Sequence, residues 1–268
     1  KLFEDCSKEK NPDEKVCLLH FVIVGAGASG VELAGELSRY SRKLAKEHGV
    51  GEELITIDLI EAAGRILPAL APKISEKAAR RLHRLGVNIF TGRPMEAQKL
   101  EEIKVRGLTL KTETVIWTAG IKPNSLYQRI SGLTFDPKGR ILVDEYLQAR
   151  NLKNIFAIGD GASTLYSGMA QTAIHDGQGV VQNIFRDLGG RQLIRYQPKK
   201  PYHFIPIGSG WAAASLGPIT LYGPVGWFFR RFADFRYFLS ILPFTKALLA
   251  FRSGKTLCES CEICLPEV

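Results

Sequence analysis

One stretch near the start of the chain limits its architecture more than any other: His20 to Tyr40, HFVIVGAGASGVELAGELSRY. An apolar run, His20 to Val24, leads straight into Gly25-Ala26-Gly27-Ala28-Ser29-Gly30, and Val31, Leu33, Ala34, Leu37 and Leu44 then recur at helical spacing. That is strand, tight turn, helix. In such a turn the first glycine permits the bend, the second admits a pyrophosphate to the backbone, and the third lets helix pack closely on strand. The helix start then offers free N–H groups to phosphate. The plainer alternative is a glycine-rich turn that holds no ligand.

The segments that follow repeat the alternation. ELITIDLIEA reads as a second strand ending at Glu61, PKISEKAARRLHRLG as an amphipathic helix closed by Gly86, and VNIF, KVRGLTL and TVIWTAG as further short strands. Strand–helix–strand units of this kind predict an α/β fold with a parallel sheet. Glu61, at the end of the second strand, suits a ribose 2′-hydroxyl and repels a 2′-phosphate, which favours NADH over NADPH; Arg65 pulls the other way. Gly30 and Glu61 are further apart than the usual ~20 residues, so the connection must hold an enlarged helix or loop.

A formal charge of +9 makes an anionic partner reasonable: nucleic acid, acidic lipid or a phosphate-bearing cofactor. No recognition motif accompanies the charge, so nucleic acid is not expected. Cys6 and Cys17 lie near the start, and Cys258, Cys261 and Cys264 near the end. An odd, split set does not build a secreted disulfide framework, which points to a reducing compartment. The C-x-x-C-x-x-C spacing lacks an evident fourth ligand, so exposed thiols are expected there and no metal. Residues 1–19 are polar and read as a linker or leader with an internal start, and no apolar run reaches the ~18–20 residues of a membrane-spanning helix.

From Tyr222 to Lys255 the chain changes character, with six Lys or Arg against one Asp and a concentration of Trp227, Phe228, Phe229, Phe232, Phe235, Tyr237 and Phe238. Pro243 divides it into two helical pieces. Cations interleaved with aromatics suit helices lying in a membrane interface, apolar side in the acyl boundary. Core packing or a homodimer surface is the alternative.

VIVGAGASGVELAGEL, LIEAAGRILP, VIWTAGIKPN, NIFAIGD and MAQTAIHDG, in that order, resemble the type II NADH:quinone oxidoreductases, flavoenzymes with two dinucleotide-binding domains. The resemblance implies a Rossmann-like NADH domain over residues 20–112, the C-terminal half of a FAD domain over 113–186, and a quinone- and membrane-associating region over 187–268. It also implies that the opening FAD half lies outside this chain, which would make the chain a fragment. The enzyme would pass electrons from NADH through FAD to a membrane quinone without pumping protons, as a peripheral, monotopic protein on the cytoplasmic side of the membrane.

Within the resemblance, Gly25, Gly27 and Gly30 would hold the NADH pyrophosphate, Glu61 the adenosine ribose, and Glu32 would lie near the nicotinamide. Without it, Glu32 reads as a first-turn acid complementing the helix dipole. Ala119 and Gly120 would let backbone approach a cofactor, or form a plain turn. Asp160 would accept hydrogen bonds from FAD ribityl hydroxyls, or act as a turn or N-cap aspartate. Ala170 and Gln171 open a helix that would face the flavin and line the quinone pocket. His175 stands where the family carries a second Gln, four residues on and on the same helical face. It would hydrogen-bond and protonate a quinone carbonyl, or be a tolerated polar swap. A non-catalytic NADH-binding, membrane-associated module is a second reading. A sulfide:quinone oxidoreductase is a third, weakened because no Cys lies between residues 18 and 257.

Overall fold

The structure, a computed structural model, describes residues 1–99 and 101–253. Cys258, Cys261 and Cys264 lie outside the described residues. The chain forms two compact units, one made of residues 1–119 and the chain from His203 onward, the other of Gly120–Tyr202.

The first unit is built on a parallel sheet of β1 (His20–Val24), β2 (Thr56–Ile60), β3 (Val87–Phe90) and β7 (Thr114–Trp117), in the order β3-β2-β1-β7. β1 is buried along its whole length, which is why HFVIV shows no polar alternation. Helix α3 (Ala28–His48) buries Val31, Ala34, Ser38, Ser41 and Ala45, a stripe at helical spacing. It ends at Gly49, whose φ of 65° only glycine adopts without strain. The 21 residues of α3 account for the long connection between the glycine turn and Glu61. Helix α4 (Pro72–Arg84) adds Ile74, Ala78 and Leu82 to a core that includes Phe21, Ile23, Ile57, Leu59 and Val87. Each such side chain, once fully buried, stabilises the fold by about 1.5–3 kcal/mol.

Residues 1–19, expected as a linker, instead form α1 (Leu2–Lys8) and α2 (Pro12–Leu18). Phe3 and Cys6 are buried, and the Phe3 ring stacks on Phe21 at 6.5 Å. Asn11 caps α2 by accepting the Asp13 N–H at 3.0 Å, with Pro12 at the first helical position. The polar composition of the stretch hides two short helices, one of which sends two apolar side chains inward.

An antiparallel sheet of β4 (Met95–Lys99), β5 (Glu102–Val105) and β6 (Leu108–Lys111) precedes β7. A domain boundary after residue 112 would sever β7 from β1, with which it pairs from Phe21↔Thr114 to Val24↔Trp117. The division falls after Ala119 instead.

The chain re-enters the first unit as β10 (His203–Pro206), β11 (Ala212–Leu216) and β12 (Ile219–Tyr222), an antiparallel sheet. Ile205, Ile207 and Ala213 join the same core as Phe21 and Val31. A Cβ on Gly35 would stand 2.7 Å from the Gly208 nitrogen, so a glycine on α3 is what lets this segment sit against the helix. Residues 203–253 therefore belong to the first unit and do not make a separate region with 187–202.

The interruption expected at Pro243 separates α6 (Gly223–Ile241) from α7 (Phe244–Ser253). The Phe235 and Phe251 rings meet at 5.0 Å, and the Arg231 guanidinium lies 4.5 Å from the Phe251 ring while donating to the Phe251 carbonyl at 2.9 Å. No described helix is long and apolar enough to cross a membrane.

The second unit has a small core of Ile141, Ala149, Ala157 and Ala162, a two-stranded pair of β8 (Gln148–Ala149) and β9 (Leu152–Phe156), and helix α5 (Ala170–Leu188).

Candidate functional site

The glycine turn joins β1 to α3, and each glycine meets a different constraint. Gly25 has φ of 104°, and a Cβ there would stand 2.8 Å from the Ala119 nitrogen. A Cβ on Gly30 would collide with the Gly25 carbonyl oxygen. A Cβ on Gly27 would meet nothing within 4 Å, and its φ of −69° suits any residue. The first and third glycines are thus required by the protein itself. The second meets no such constraint among the described residues, and its open side leaves room of the kind a pyrophosphate needs. Gly27 is the N-cap of α3 and no side chain caps the helix, so the first N–H groups remain for an anion.

Glu61 follows β2 and lies beside that turn. Its carboxylate accepts the Ala26 N–H at 2.8 Å and the Ala63 N–H at 2.9 Å. Among the described residues these bonds use two of its roughly four acceptor positions. Arg65, which on sequence grounds pulled toward a 2′-phosphate, is committed elsewhere. It donates to the Leu67 carbonyl at 3.0 Å, the Pro68 carbonyl at 2.7 Å and Ser75 Oγ at 2.6 Å. Leu67, at φ 48°, in turn donates its N–H to the Ala26 carbonyl at 2.7 Å, so this loop buttresses the glycine turn.

Ala119 borders Gly25, as the glycine contact shows. Sequence reading missed its neighbour Thr118, whose Oγ donates toward the Val24 carbonyl at 3.0 Å and the Gly25 carbonyl at 2.8 Å, tying the end of β7 to the turn. Gly120 has φ of 83° with open space around its Cα.

Glu32 is the fifth residue of α3, beyond the first turn, which corrects its reading as a first-turn acid complementing the dipole. Burial pushes its carboxyl up to about 7, and the Arg230 guanidinium on α6 pulls the other way. The same burial lowers Arg230, which also pairs with Asp234. A carboxyl that titrates near neutrality on the helix following the glycine turn is suited to sensing or moving a proton.

In the second unit, Asp160 sits exposed in a single 3-10 turn, Gly159–Gly161, just beyond β9. Ala170 is the first residue of α5, no side chain caps that helix, and Thr172 Oγ1 on its first turn is buried with no hydrogen-bond partner. A turn carboxylate with a helix start and an orphaned hydroxyl fits hydroxyl-rich and polar groups of a flavin nucleotide.

Gln171 and His175 do share a face of α5, and both hold residues 191–202, an extended strap along the helix. Gln171 Oε1 accepts the Tyr202 N–H at 2.8 Å, and His175 Nε2 donates to the Gln197 carbonyl at 3.0 Å. Asn183 exchanges bonds with Ile194 at 2.8 and 3.0 Å, and Arg186 donates to the Gln192 carbonyl at 2.6 Å. The spacing of these residues keeps one stripe of the helix polar, a pattern visible in the sequence.

Residues 2–177 match the pyridine nucleotide-disulphide oxidoreductases, and the chain belongs to that family. Among curated proteins it is similar to the type II NADH:quinone oxidoreductase Ndh of Mycobacterium tuberculosis, 28% identical over 94% of this chain and 59% of that protein. The type II NADH:quinone oxidoreductase of Haemophilus influenzae is 29% identical over 87% of this chain and 54% of its own length. The chain thus spans a little over half the length of these relatives. NDH2 from Plasmodium falciparum, solved in complex with NADH, has the same fold, with a TM-score of 0.78 and 18% identity over 96% of this chain and 70% of that one.

Proposed function

We propose that this chain carries the NADH-binding and quinone-side parts of a flavin-dependent NADH:quinone oxidoreductase. The observation that carries the reading is the glycine turn: two glycines demanded by packing, one left open, and Glu61 beside it. The family and the relatives' names agree with it.

In this mechanism the N–H groups opening α3 hold the NADH pyrophosphate over Gly27. Glu61 takes the adenosine ribose hydroxyls, and Arg65, the cation that would welcome a 2′-phosphate, is tied to its own loop. Glu32, with a carboxyl near neutrality, holds or releases a proton at the nicotinamide end. Ala119 and Gly120 let backbone come close to the cofactor. Asp160 accepts from ribityl hydroxyls, and the N-terminus of α5 at Ala170 faces partial negative charge. When bound, FAD supplies the two-electron step between hydride donor and quinone. Gln171 and His175 keep donors and acceptors at the quinone side, with His175 Nε2 fixed on the strap.

α6 and α7 expose Trp227, Phe228, Phe232, Tyr237, Phe244 and Leu249, with Arg236, Lys246 and Arg252 also exposed. This supports a peripheral, monotopic contact with a membrane surface on the cytoplasmic side. Arg230 and Arg231 are spent within the helix pair, so fewer cations meet headgroups than the sequence count suggests.

The test is the visible spectrum of the purified chain supplied with FAD, before and after anaerobic NADH, followed by addition of a short-chain quinone. Bleaching by NADH and recovery on quinone would assign the turnover to this chain as it stands. Binding of NADH with no flavin uptake would make this chain an NADH-binding, membrane-associated module and leave catalysis to a protein that also carries the opening FAD half, and failure to bind NADH overturns the reading. Reduction by sulfide in place of NADH would favour the sulfide reading, although the cysteines among the described residues are Cys6, in the core, and Cys17, on α2.

A further inference from the structure

Asp176, one residue after His175, is fully buried on α5. A carboxylate out of water is costly unless its oxygens find donors. Here Oδ2 accepts the Gly159 N–H at 3.0 Å, and Oδ1 accepts the Tyr196 hydroxyl. Gly159 opens the turn that carries Asp160. It has φ of 60°, and a Cβ there would stand 3.0 Å from the Ala173 Cβ, so the turn lies close against α5 in a left-handed conformation.

Tyr196 is held in its turn. Its N–H donates to the Glu145 carbonyl at 2.7 Å, its ring lies 5.5 Å from that of His175, and a Cβ on Gly179 would be 3.4 Å from it. Burial, and then the Asp176 carboxylate, raise the phenol above its ordinary range, so it stays a donor. The strap, Tyr196, Asp176 and Gly159 form one continuous chain of contacts ending beside Asp160.

We propose that Asp176 is a positioning residue: its carboxylate fixes the Gly159–Gly161 turn in the conformation that presents Asp160 to a flavin nucleotide, and Tyr196 locks that carboxylate from the strap. The last step rests on the flavin reading above. The clamp itself does not.

The experiment compares the full chain with Asp176→Leu, Asp176→Asn and Tyr196→Phe, by hydrogen–deuterium exchange at the Gly159 amide and by FAD and NADH titration. Asp176→Leu is expected to speed Gly159 exchange and weaken FAD binding about tenfold each, with NADH affinity unchanged. Asp176→Asn keeps an acceptor for Gly159 and is expected to restore most of both. Tyr196→Phe is expected to fall between, at about threefold. Unchanged Gly159 exchange in Asp176→Leu and Tyr196→Phe overturns the clamp. Faster exchange with unaltered FAD affinity overturns the positioning of Asp160. If the unaltered chain takes up no FAD, the flavin reading fails and exchange alone decides the clamp. Should Asp176→Leu lose NADH binding through misfolding, Tyr196→Phe decides it.

Discussion

His20 and Asp58 face each other across β1 and β2, with His20 Nε2 2.9 Å from the Asp58 carboxylate. His20 Nδ1 lies 2.7 Å from the Lys111 carbonyl, and Asn88 Nδ2 donates to the other Asp58 oxygen at 2.8 Å. A carbonyl and a carboxylate only accept, so both ring nitrogens carry protons and the pair is ionic. Burial pushes the imidazole down, but the Asp58 carboxylate outweighs it and the net shift is upward. The folded state therefore holds its proton more tightly than the unfolded chain. Its contribution is fully present below the ordinary imidazole value of about 6.5 and is lost as pH rises through the raised one. Urea unfolding from pH 6 to 9 should show stability falling on this limb. Asp58→Asn should cost about 3 kcal/mol at pH 6 and flatten the limb; parallel slopes in the two proteins would sink the assignment.

Gly27→Ala and Gly30→Ala should separate ligand from fold. The Gly27 substitution is expected to leave the melting temperature within about 2 °C, since its Cβ meets nothing, and to weaken NADH binding at least tenfold. The Gly30 substitution drives a Cβ into the Gly25 carbonyl and should cost about 2 kcal/mol or more of stability. Equal effects of both on melting would contradict the division of labour.

Glu32 should leave its mark on a pH profile. With its carboxyl pushed up to about 7, it is protonated below neutrality and charged above. NADH affinity, measured by fluorescence from pH 5.5 to 8.5, is expected to change with a midpoint near 7, and Glu32→Gln should remove that inflection. Because the folded value lies above the unfolded one, this group also opposes folding as pH rises from about 4.3 toward 7. Glu32→Gln is then expected to be more stable than the native protein at pH 8.

The α6–α7 surface makes a prediction in the presence of lipid. Co-sedimentation with anionic vesicles should fall about tenfold when Phe228 and Phe244 are both changed to Ser, and should weaken with added salt. NADH affinity serves as the control, since neither ring belongs to the core around the glycine turn. Vesicle binding unaffected by the double change would assign this face to another partner.

How much of this could be read from the chain depends on the range of the interaction concerned. The strand, glycine turn, helix and Glu61 were legible because their determinants are local or lie at the ends of adjacent strands. The α1 and α2 helices were not, because Phe3 and Cys6 are isolated apolar residues whose burial is decided by Phe21 and its neighbours. Residues 203–222 fall in sequence within the quinone- and membrane-associating region of 187–268, yet Ile205, Ile207 and Ala213 complete a core begun nearly two hundred positions earlier. Arg65 read as a nucleotide cation because charge is visible in sequence and its three local acceptors are not. The role of Asp176 is not legible locally, since its partners Gly159 and Tyr196 lie 17 and 20 residues away on opposite sides.

The return of β10 and β11 to the first unit sets an order of events during synthesis. Ile207 and Ala213 complete the packing around Val31 and Phe21, so that core cannot close until the ribosome has released them, whereas Gly120–Tyr202 is a single uninterrupted stretch. The unit of residues 120–202 is therefore able to fold before the unit whose sequence brackets it. Ribosome-bound chains halted once residue 202 has emerged should be protected from protease within 120–202 and open to it around α3, with α3 becoming protected as well only after β11 has cleared the exit tunnel.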